Sequence, residues 1–410
     1  MSDFTLKQVQ SIAEFNPSEQ LKKGVLAKCV PMAKLKEFQR KITGYELKPF
    51  SGGAKFRNGD ILVAKITPCL ENGKTAFVDI LADNEIAFGS TEFIVLRARN
   101  DTNPEFLYYF AISPDFRKRA IECMEGTSGR KRVNENTLKT LELPIPNLKT
   151  QKSIAHILST LDQKIAINNQ INAQLEQMAK TLYDYWFVQF DFPDENGKPY
   201  KSSGGEMVYN DTLKREIPKG WEVKSLWSIA KYFNGLSLQK YRPKNEYGDF
   251  LPVIKIREMN EGISANTEKA STEIPKEAII NDGDILFSWS ATLDVKIWTQ
   301  GKGALNQHIF KVTSNQYPKS FYYFELLNYL QHFKMMAELR KTTMGHITQD
   351  HLKQAFICIP SDALLSGLDQ ILSPIFQKII ILKKQNQQLA QLRDFLLPML
   401  MNGQVGVGDD

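Results

Sequence analysis

The chain has 410 residues, of which 42% are hydrophobic and 24% charged, and its formal net charge is +6. This length accommodates two or three domains with cores of their own, and the composition is ordinary for soluble globular proteins. No uninterrupted apolar stretch reaches the ~18 residues of a membrane span, and the mild positive charge permits an acidic partner without requiring one.

The N-terminus and the cysteines indicate a reducing location. The first residues lack a basic segment followed by an apolar run, so we expect no secretory signal. Cys29, Cys69, Cys123 and Cys358 form no CxxC pair and have no nearby pair of histidines. We therefore expect free thiols, no bound metal, no cofactor on this chain and a cytoplasmic location.

The first 149 residues read as short strands followed by a helical segment. Asp60–Ile66, Ala76–Ile80 and Glu92–Leu96 are rich in β-branched and aromatic residues and are separated by Gly, Asn and Pro. A helical segment is predicted from Pro104 to Met124, with the proline in its first turn. This order of elements favours an α+β unit.

Polar and basic side chains concentrate in the loops of this unit, most densely from Gly126 to Asn134. Cations neutralise DNA phosphates, while amides, hydroxyls and guanidinium groups bond to base edges in the major groove. For each residue taken singly, a solvated surface charge is the alternative. The candidate DNA-binding residues here are Lys55, Arg57, Lys65, Thr67, Asn72, Lys74, Ser90, Thr91, Thr127, Ser128, Arg130, Lys131, Arg132 and Asn134.

A long helix is predicted over residues 150–190. Residues 191–209, rich in Pro, Asp, Gly and Ser, are predicted to form a linker. Heptad spacing along the helix gives a seam of mostly apolar residues. The seam consists of Leu161, Ile165, Asn168, Asn172, Leu175, Ala179 and Leu182.

The rest of the chain repeats this pattern. Gly59-Asp60-Ile61-Leu62 recurs as Gly283-Asp284-Ile285-Leu286, and Thr127-Ser-Gly129 as Thr343-Met-Gly345. Leu138 and Leu352 are 214 positions apart, and so are Leu161 and Ile375. Such a long period indicates a duplicated domain, not a solenoid array.

The second unit is predicted over residues 210–360, with a helical segment from Pro318 to Arg340, and its long helix over 361–403. Ser361–Gly367 lacks the polar start of the first long helix, so we expect the second to begin later or less regularly. The candidate DNA-binding residues of this unit are Lys255, Arg257, Ser288, Ser290, Thr292, Asn306, Gln307, His308, Lys341, Thr342, Thr343 and His346.

The two long helices are predicted to pair as an antiparallel coiled coil, because otherwise their apolar stripes would be exposed to solvent. Packing of each helix on its own domain is the alternative. Asn172 and Asn386 occupy equivalent seam positions and are candidates for fixing the alignment. The residues predicted to pair the helices are Leu161, Ile165, Asn172, Leu175, Leu182, Ile375, Ile379, Asn386, Leu389 and Leu396.

Motifs of enzymatic chemistry are not found. Gly73-Lys74-Thr75 resembles the end of a phosphate-binding loop, but Pro68 stands where that motif needs its first glycine. We find neither the tetrapeptide with which amino-methyltransferases hold a target base nor an HExxH metal motif. We therefore assign no catalytic residue and no metal ligand.

Several of these segments together resemble the specificity subunits of Type I restriction-modification enzymes. The resemblance rests on the loop Lys65–Lys74, on Gly126–Arg130, on Leu143–Pro146 with the helix start Gln151–Ile165, and on Ile217–Glu222 and Leu396–Gly403. It covers nearly the whole chain. The second unit departs from it, having Phe287–Thr292 where the first has the Lys65–Lys74 loop, so we expect it to read a different half-site.

The resemblance implies a fold and a division of labour. Two target recognition domains, 1–149 and 210–360, would be separated by an antiparallel pair of long helices in an α+β chain with pseudo-twofold symmetry. Each domain would read part of a bipartite DNA site. Two methyltransferase subunits, carrying S-adenosylmethionine, and restriction subunits, using ATP and Mg²⁺, would dock and supply the chemistry. The alternatives are a methylation-only system, a self-contained enzyme, or a coiled-coil scaffold for domains that do not bind DNA.

Overall fold

The computed structural model describes residues 4–127, 129–243, 248–264, 266–339 and 346–406. The chain divides into two compact units. Unit 1 contains Met1–Ala166 and Gln388–Asp410, and unit 2 contains Ile167–Gln387. Each unit therefore contains one α+β domain together with segments of the two longest helices.

Unit 1 is built from short strands and short helices, followed by the start of a long helix. Its strands are β1 (Phe4–Gln8), β2 (Ala13–Phe15), β3 (Leu26–Val30), β4 (Glu46–Pro49), β5 (Ala54–Phe56), β6 (Ile61–Ala64), β7 (Thr75–Phe77), β8 (Ala87–Gly89), β9 (Phe93–Ala98), β10 (Met124–Glu125), β11 (Arg132–Val133) and β12 (Glu142–Pro146). Its helices are α1 (Val9–Ile12), α2 (Pro104–Ile112), α3 (Pro114–Glu122), α4 (Glu135–Thr140) and the first part of α5 (Leu148–Tyr183), with a 3-10 turn at Met32–Lys34.

Two four-stranded sheets form the body of this unit, in the orders β2-β9-β6-β7 and β4-β3-β8-β5. The first sheet is antiparallel, and in the second β3 and β8 run parallel. Successive side chains of a strand point to opposite faces, so β6, which is buried throughout, contributes to two cores. Ile61 and Val63 lie in a core with Phe106 and other helical residues, whereas Leu62 lies in a second core between the sheets.

The helical segment predicted from Pro104 to Met124 is two helices. Pro114 cannot donate a backbone hydrogen bond, so it ends the first helix and begins the next. The side chains of Asn103 and Ser113 cap the two N-termini by accepting bonds from the amides of Phe106 and Phe116.

Unit 2 has the same kinds of elements. Its strands are β13 (Met207–Asn210), β14 (Arg215–Pro218), β15 (Glu222–Ser225), β16 (Lys231–Asn234), β17 (Phe250–Ile254), β18 (Lys269–Ser271), β19 (Ile279–Ile280), β20 (Ile285–Ser288), β21 (Asp294–Ile297), β22 (Gly303–Leu305), β23 (Ile309–Thr313) and β24 (Phe356–Ile359). Its helices are the end of α5, a π-helical turn at Asp184–Val188, α6 (Leu226–Ile229), α7 (Ile256–Glu261), α8 (Lys319–Leu339), α9 (Gln349–Gln354) and most of α10 (Asp362–Met401), with 3-10 turns at Leu238–Tyr241 and Lys276–Ala278.

The sheets of unit 2 repeat the topology of unit 1. Their orders are β16-β23-β20-β21 and β18-β17-β22-β19, and β17 and β22 are the parallel pair. The small pair β15-β24 corresponds to β1-β12. The alternation recurs as well, since Ile285 and Phe287 face one core and Leu286 faces another. The sequence repeat is therefore a repeat of the fold.

The segment predicted as a linker, Asp191–Tyr209, is a folded part of unit 2. The ring of Phe192 stacks on Trp221 at 5.4 Å and on Tyr200 at 4.6 Å between centroids. The strand β13 at the end of this segment pairs with β14. Its aromatic side chains thus bury a small core of their own despite the surrounding polar residues.

The sequence suggested that the second long helix begins late or irregularly, but it does not. α10 begins at Asp362, directly after Ser361, whose hydroxyl accepts a bond from the amide of Leu364. By length and composition α10 could cross a membrane. Its Leu368, Leu372 and Ile379 pack instead in the core of unit 2.

Candidate nucleic-acid interface

The two loops of unit 1 with the strongest sequence signal lie side by side. The amide of Thr67 donates to the carbonyl of Lys131 at 3.1 Å, and the amide of Val133 donates to the carbonyl of Lys65 at 2.9 Å. A third backbone bond, from Lys65 to the carbonyl of Glu92, adds the loop before β9. Residues 65–67, 90–92 and 130–134, distant in sequence, therefore form one surface.

Many of the predicted DNA-binding side chains of unit 1 already have partners. Three pair with carboxylates: Lys65 with Glu135 at 3.0 Å, Arg132 with Glu92 at 2.7 Å, and Asn72 with Glu37 at 2.8 Å. The bond from Arg132 lowers the pKa of the Glu92 carboxyl. Lys55 donates to the carbonyl of Glu19, and Arg57 lies near the carboxylate of the same residue. Thr67 donates to Glu71, and Ser90 accepts a bond from the amide of Glu92. Asn134 caps the N-terminus of α4.

A smaller set presents uncommitted side chains to solvent. Thr91, Thr127, Arg130 and Lys131 are exposed, and within the described ranges no hydrogen bond or ion pair of their side chains is found. Lys74 is half-buried. Ser128 lies outside the described residues. Arg130 and Lys131 are thus the cations of this loop that can meet a phosphate without first leaving a carboxylate.

In unit 2 the corresponding surface centres on an aromatic side chain. The ring of Trp289 lies 5.6 Å from that of His308 and 5.7 Å from that of His346. The amide of Ile347 donates to the carbonyl of Trp289 at 2.8 Å, which joins the two loops as in unit 1. The indole NH donates to Asn234. Sequence reasoning did not select Trp289; strand alternation places it opposite Ser288 on the face of Phe287, where it also packs against the core of unit 2.

That alternation also corrects two of the predicted residues. Ser288 and Ser290 are 0% and 3% exposed. The hydroxyl of Ser288 donates to the carbonyl of Thr292 and accepts a bond from the amide of Asp294, so it closes the turn after β20. Neither serine presents a surface to DNA, and we retain neither as a contact. Thr292 in the same turn is exposed.

The remaining candidates of unit 2 differ in whether their side chains are paired and in how exposed they are. Lys255 pairs with Glu268, whose pKa that bond lowers, and Arg257 pairs with the buried Glu258 at 2.6 Å. Asn306 and Gln307 are half-buried, and His308 is exposed. Lys341, Thr342 and Thr343 lie outside the described residues.

The Gly-Asp-Ile-Leu motif holds each domain together instead of contacting a ligand. The carboxylate of Asp60 accepts two bonds of 2.7 Å from Arg97 on β9, and that of Asp284 lies 2.9 Å from Lys311 on β23. Each aspartate also accepts a 2.8 Å bond from the amide three residues before it. Both motifs thus close a tight turn and tie it to the neighbouring strand.

Of the residues predicted to pair the helices, four lie in or against the core of unit 2: Leu175, Leu182, Ile375 and Ile379. Within unit 2, α5 and α10 contact each other directly, through Asn168 with Asn386 at 2.8 Å and Glu176 with Lys383 at 2.9 Å. Partner numbers run in opposite directions, so these segments are antiparallel.

In unit 1 the two helices also meet. Asp162 pairs with Arg393 at 2.7 Å, and Leu396 packs against the core. The other residues of the predicted seam, Leu161, Ile165 and Leu389, are half-buried. Each helix thus packs both on the other helix and on a domain core.

In the part of the chain that the structure describes, no group of three or more His, Cys, Asp or Glu side chains could hold a metal ion. All four cysteines are free thiols.

The architecture and sequence match one family. The model of the Type I restriction modification DNA specificity domain matches this chain twice, over residues 1–177 and 218–391. This chain belongs to that family. It is a Type I restriction-modification specificity subunit, and its role is DNA sequence specificity.

Curated relatives of this specificity subunit span most of its length. It is 28% identical over 311 residues to the specificity subunit of the MjaIX enzyme of Methanocaldococcus jannaschii, covering 74% of this chain and 69% of the relative. It is 27% identical over 418 residues to that of the HindI enzyme of Haemophilus influenzae, covering 88% and 90%. A crystal structure of the S subunit from M. genitalium shares the fold, with a TM-score of 0.55, 16% identity and coverage of 97% and 96%.

Proposed function

We propose that the subunit reads a bipartite DNA site, with one part read by each recognition domain. The observation that carries this proposal is a repeated scaffold with different surface residues. After the strand of the parallel pair, unit 1 has Ser90 and Thr91 where unit 2 has Asn306 and Gln307. A scaffold kept constant under changed polar side chains suits two readers of two different sequences.

The contacts we assign to DNA are the loop residues that remain accessible. In unit 1 these are Thr91, Thr127, Arg130 and Lys131 first, then the ion-paired Lys65 and Arg132, which must exchange a carboxylate for a phosphate. In unit 2 they are Trp289, Thr292, Asn306, Gln307, His308 and His346. The cations would neutralise phosphates and fix the register, while the amides and hydroxyls would reach base edges.

We further propose that the subunit is non-catalytic and that its partners carry out the chemistry. Two methyltransferase subunits with S-adenosylmethionine would modify adenine, and restriction subunits with ATP and Mg²⁺ would cleave. A groove of about 460 Å³ on α5, lined by Met178, Leu182 and Tyr185, supports docking there. Met178 is 51% and Tyr185 37% exposed, so the groove presents adjoining apolar side chains to solvent, as interaction sites do. The free thiols fit the cytoplasm, where we place the complex.

The test is a map of methylated adenines in cells that make the subunit with its methyltransferase partner. We expect methylation confined to one two-part sequence with a fixed gap, and a swap of residues 1–149 for those of a relative should change one part only. Equal methylation of all sequences would contradict the proposal. A wild-type subunit that binds every duplex weakly and only at low salt would favour a scaffold role instead.

A further inference from the structure

Each recognition domain contains a cavity beside the loop that follows the second strand of its parallel pair. In unit 1 it has a volume of about 370 Å³ and lies between the segment after β2 and the loop after β8, where Thr91 lines it. In unit 2 it has a volume of about 290 Å³ and lies between the segment after β16 and the loop after β22, where Asn306, Gln307 and His308 line it. The two cavities share these two segments, but the rest of the lining comes mainly from β5 and β9 in unit 1 and from β17 and the residue before β18 in unit 2.

The polar groups of the first cavity are largely committed to internal bonds. Lys55 donates to the carbonyl of Glu19 at 2.8 Å, and Lys65 pairs with Glu135 at 3.0 Å. The side chain of Asn16 is used at both ends, donating to Glu135 and accepting from the amide of Val95. Among the described residues of this lining, the hydroxyls of Ser18 and Thr91 are the side-chain groups that make no hydrogen bond or ion pair.

The second cavity presents free amides and a free guanidinium. Among the described residues, the side chains of Gln239, Arg242 and Asn306 make no hydrogen bond or ion pair, and that of Gln307 makes only a 3.5 Å contact with His308. The backbone of this lining is fixed, because the amide of Gln307 donates to the carbonyl of Leu236 and that of Asn306 to the carbonyl of Ile254. Free side chains on a fixed backbone are what direct readout of bases requires.

One cation of the lining is already paired with a carboxylate. Glu268 lines the cavity and pairs with Lys255, and the pKa of Glu268 is lowered by that bond, so the acid is charged. Because Glu268 occupies Lys255, the uncommitted groups that can meet a base edge are the side chains of Gln239, Arg242, Asn306 and Gln307. Asparagine and glutamine bond in pairs to adenine N6 and N7, and arginine to guanine O6 and N7.

From these observations we infer that the cavity of unit 2 is a purine-reading site, with Gln307 and Arg242 as its specificity-determining residues. The inference rests on the proposed function. The cavity of unit 1, where Ser18 and Thr91 offer only hydroxyls, makes a weaker contribution to specificity. The two halves of the DNA site are thus read with unequal stringency.

The test uses the full-length subunit with its methyltransferase partner and a pool of random-sequence duplexes, from which methylated molecules are sequenced. Gln307→Ala should raise methylation of duplexes altered at one purine position about tenfold relative to the cognate sequence, within the range for loss of one paired base contact. The other half of the site should stay unchanged. Gln316→Ala, at an exposed glutamine outside the cavity, is the matched control and should behave as wild type.

Each other outcome overturns the inference in a recognisable way. Unchanged specificity would exclude a role for Gln307, and uniform loss over all sequences with a shallower salt dependence would indicate a phosphate contact. If Gln307→Ala unfolds the domain, Gln307→Glu keeps the shape and should favour a cytosine at the same position; retained adenine preference would contradict us. A wild-type complex that selects no two-part sequence would instead refute the proposed function itself.

Discussion

Asn168 on α5 donates a hydrogen bond to the side-chain oxygen of Asn386 on α10, 2.8 Å away, and its whole side chain is buried. It donates a second bond to Gln385, and Asn386 in turn donates to Asn169. Asn172, one turn along α5, is also buried, but neither polar atom of its side chain has a partner among the described residues. The helix pair of unit 2 therefore contains one hydrogen-bonded polar layer, in which the oxygen of Asn168 has no partner among the described residues, and one asparagine with no bond at all.

The same substitution at these two positions should have opposite effects. Asn172→Leu removes a buried amide that lacks partners and should raise the free energy of unfolding by about 1–2 kcal/mol. Asn168→Leu breaks the bonds to Gln385 and Asn386 and should lower it by about the same amount. Urea denaturation followed by circular dichroism measures both. A loss of stability in Asn172→Leu would mean that this asparagine has a partner the described residues do not supply.

A second prediction concerns the Gly-Asp-Ile-Leu motif. Asp60 is 1% exposed and bonded twice to Arg97, whose pKa is raised: burial lowers it, and the bonds to Asp60 and Glu19 outweigh that effect. Asp60→Asn should destabilise the domain by about 2–3 kcal/mol, because it leaves a partly buried guanidinium short of its partner. Asp284→Asn, at the more accessible pair with Lys311, is the control and should cost less. Equal thermal unfolding midpoints for the two variants would contradict this ranking.

The sequence predicted the scaffold better than the surface. The repeat of Asp60 in Asp284 was visible because both close the same turn before a buried strand, and apolar periodicity located both long helices. The inward direction of Ser288 was missed because its strand continues past the apolar residues that marked it. Pairing of Lys65 with Glu135 and of Arg132 with Glu92 joins residues 70 and 40 positions apart, so no local pattern reports it.

A third prediction concerns pH. Glu325 on α8 is buried and accepts a 2.6 Å bond from the hydroxyl of Tyr183. Burial raises the pKa of Glu325 to about 7 from an ordinary value of 4.5, against the opposing effect of that bond. The folded state holds this proton more tightly than the unfolded state. Its contribution to stability is thus complete below about pH 4.5 and is lost as the pH rises through about 7.

The variant Glu325→Gln stays neutral and can still accept the bond from Tyr183. Between about pH 5 and pH 8, wild type should therefore lose about 2–3 kcal/mol of unfolding free energy relative to the variant. Glu338→Gln, at an exposed position of the same helix, should follow wild type throughout. Parallel curves for wild type and Glu325→Gln would show that the buried carboxyl does not titrate in this range.

The last prediction separates free from committed cations in the loop of unit 1. Lys131 is exposed and its side chain has no partner among the described residues, whereas Arg132 beside it is held by Glu92 at 2.7 Å. If Lys131 binds a phosphate, Lys131→Ala removes one neutralised phosphate, and the slope of log affinity against log salt concentration should become shallower by about 0.9.

Arg132→Ala should change that slope less, because Arg132 must give up its carboxylate before it can bind a phosphate. Fluorescence anisotropy of a labelled duplex, titrated with the complex of subunit and methyltransferase at several salt concentrations, measures both slopes. The double variant Glu92→Gln with Lys131→Ala sharpens the comparison, since it frees Arg132 and should restore part of the lost slope. Slopes that stay equal in all variants would place the phosphate contacts of unit 1 on a different loop.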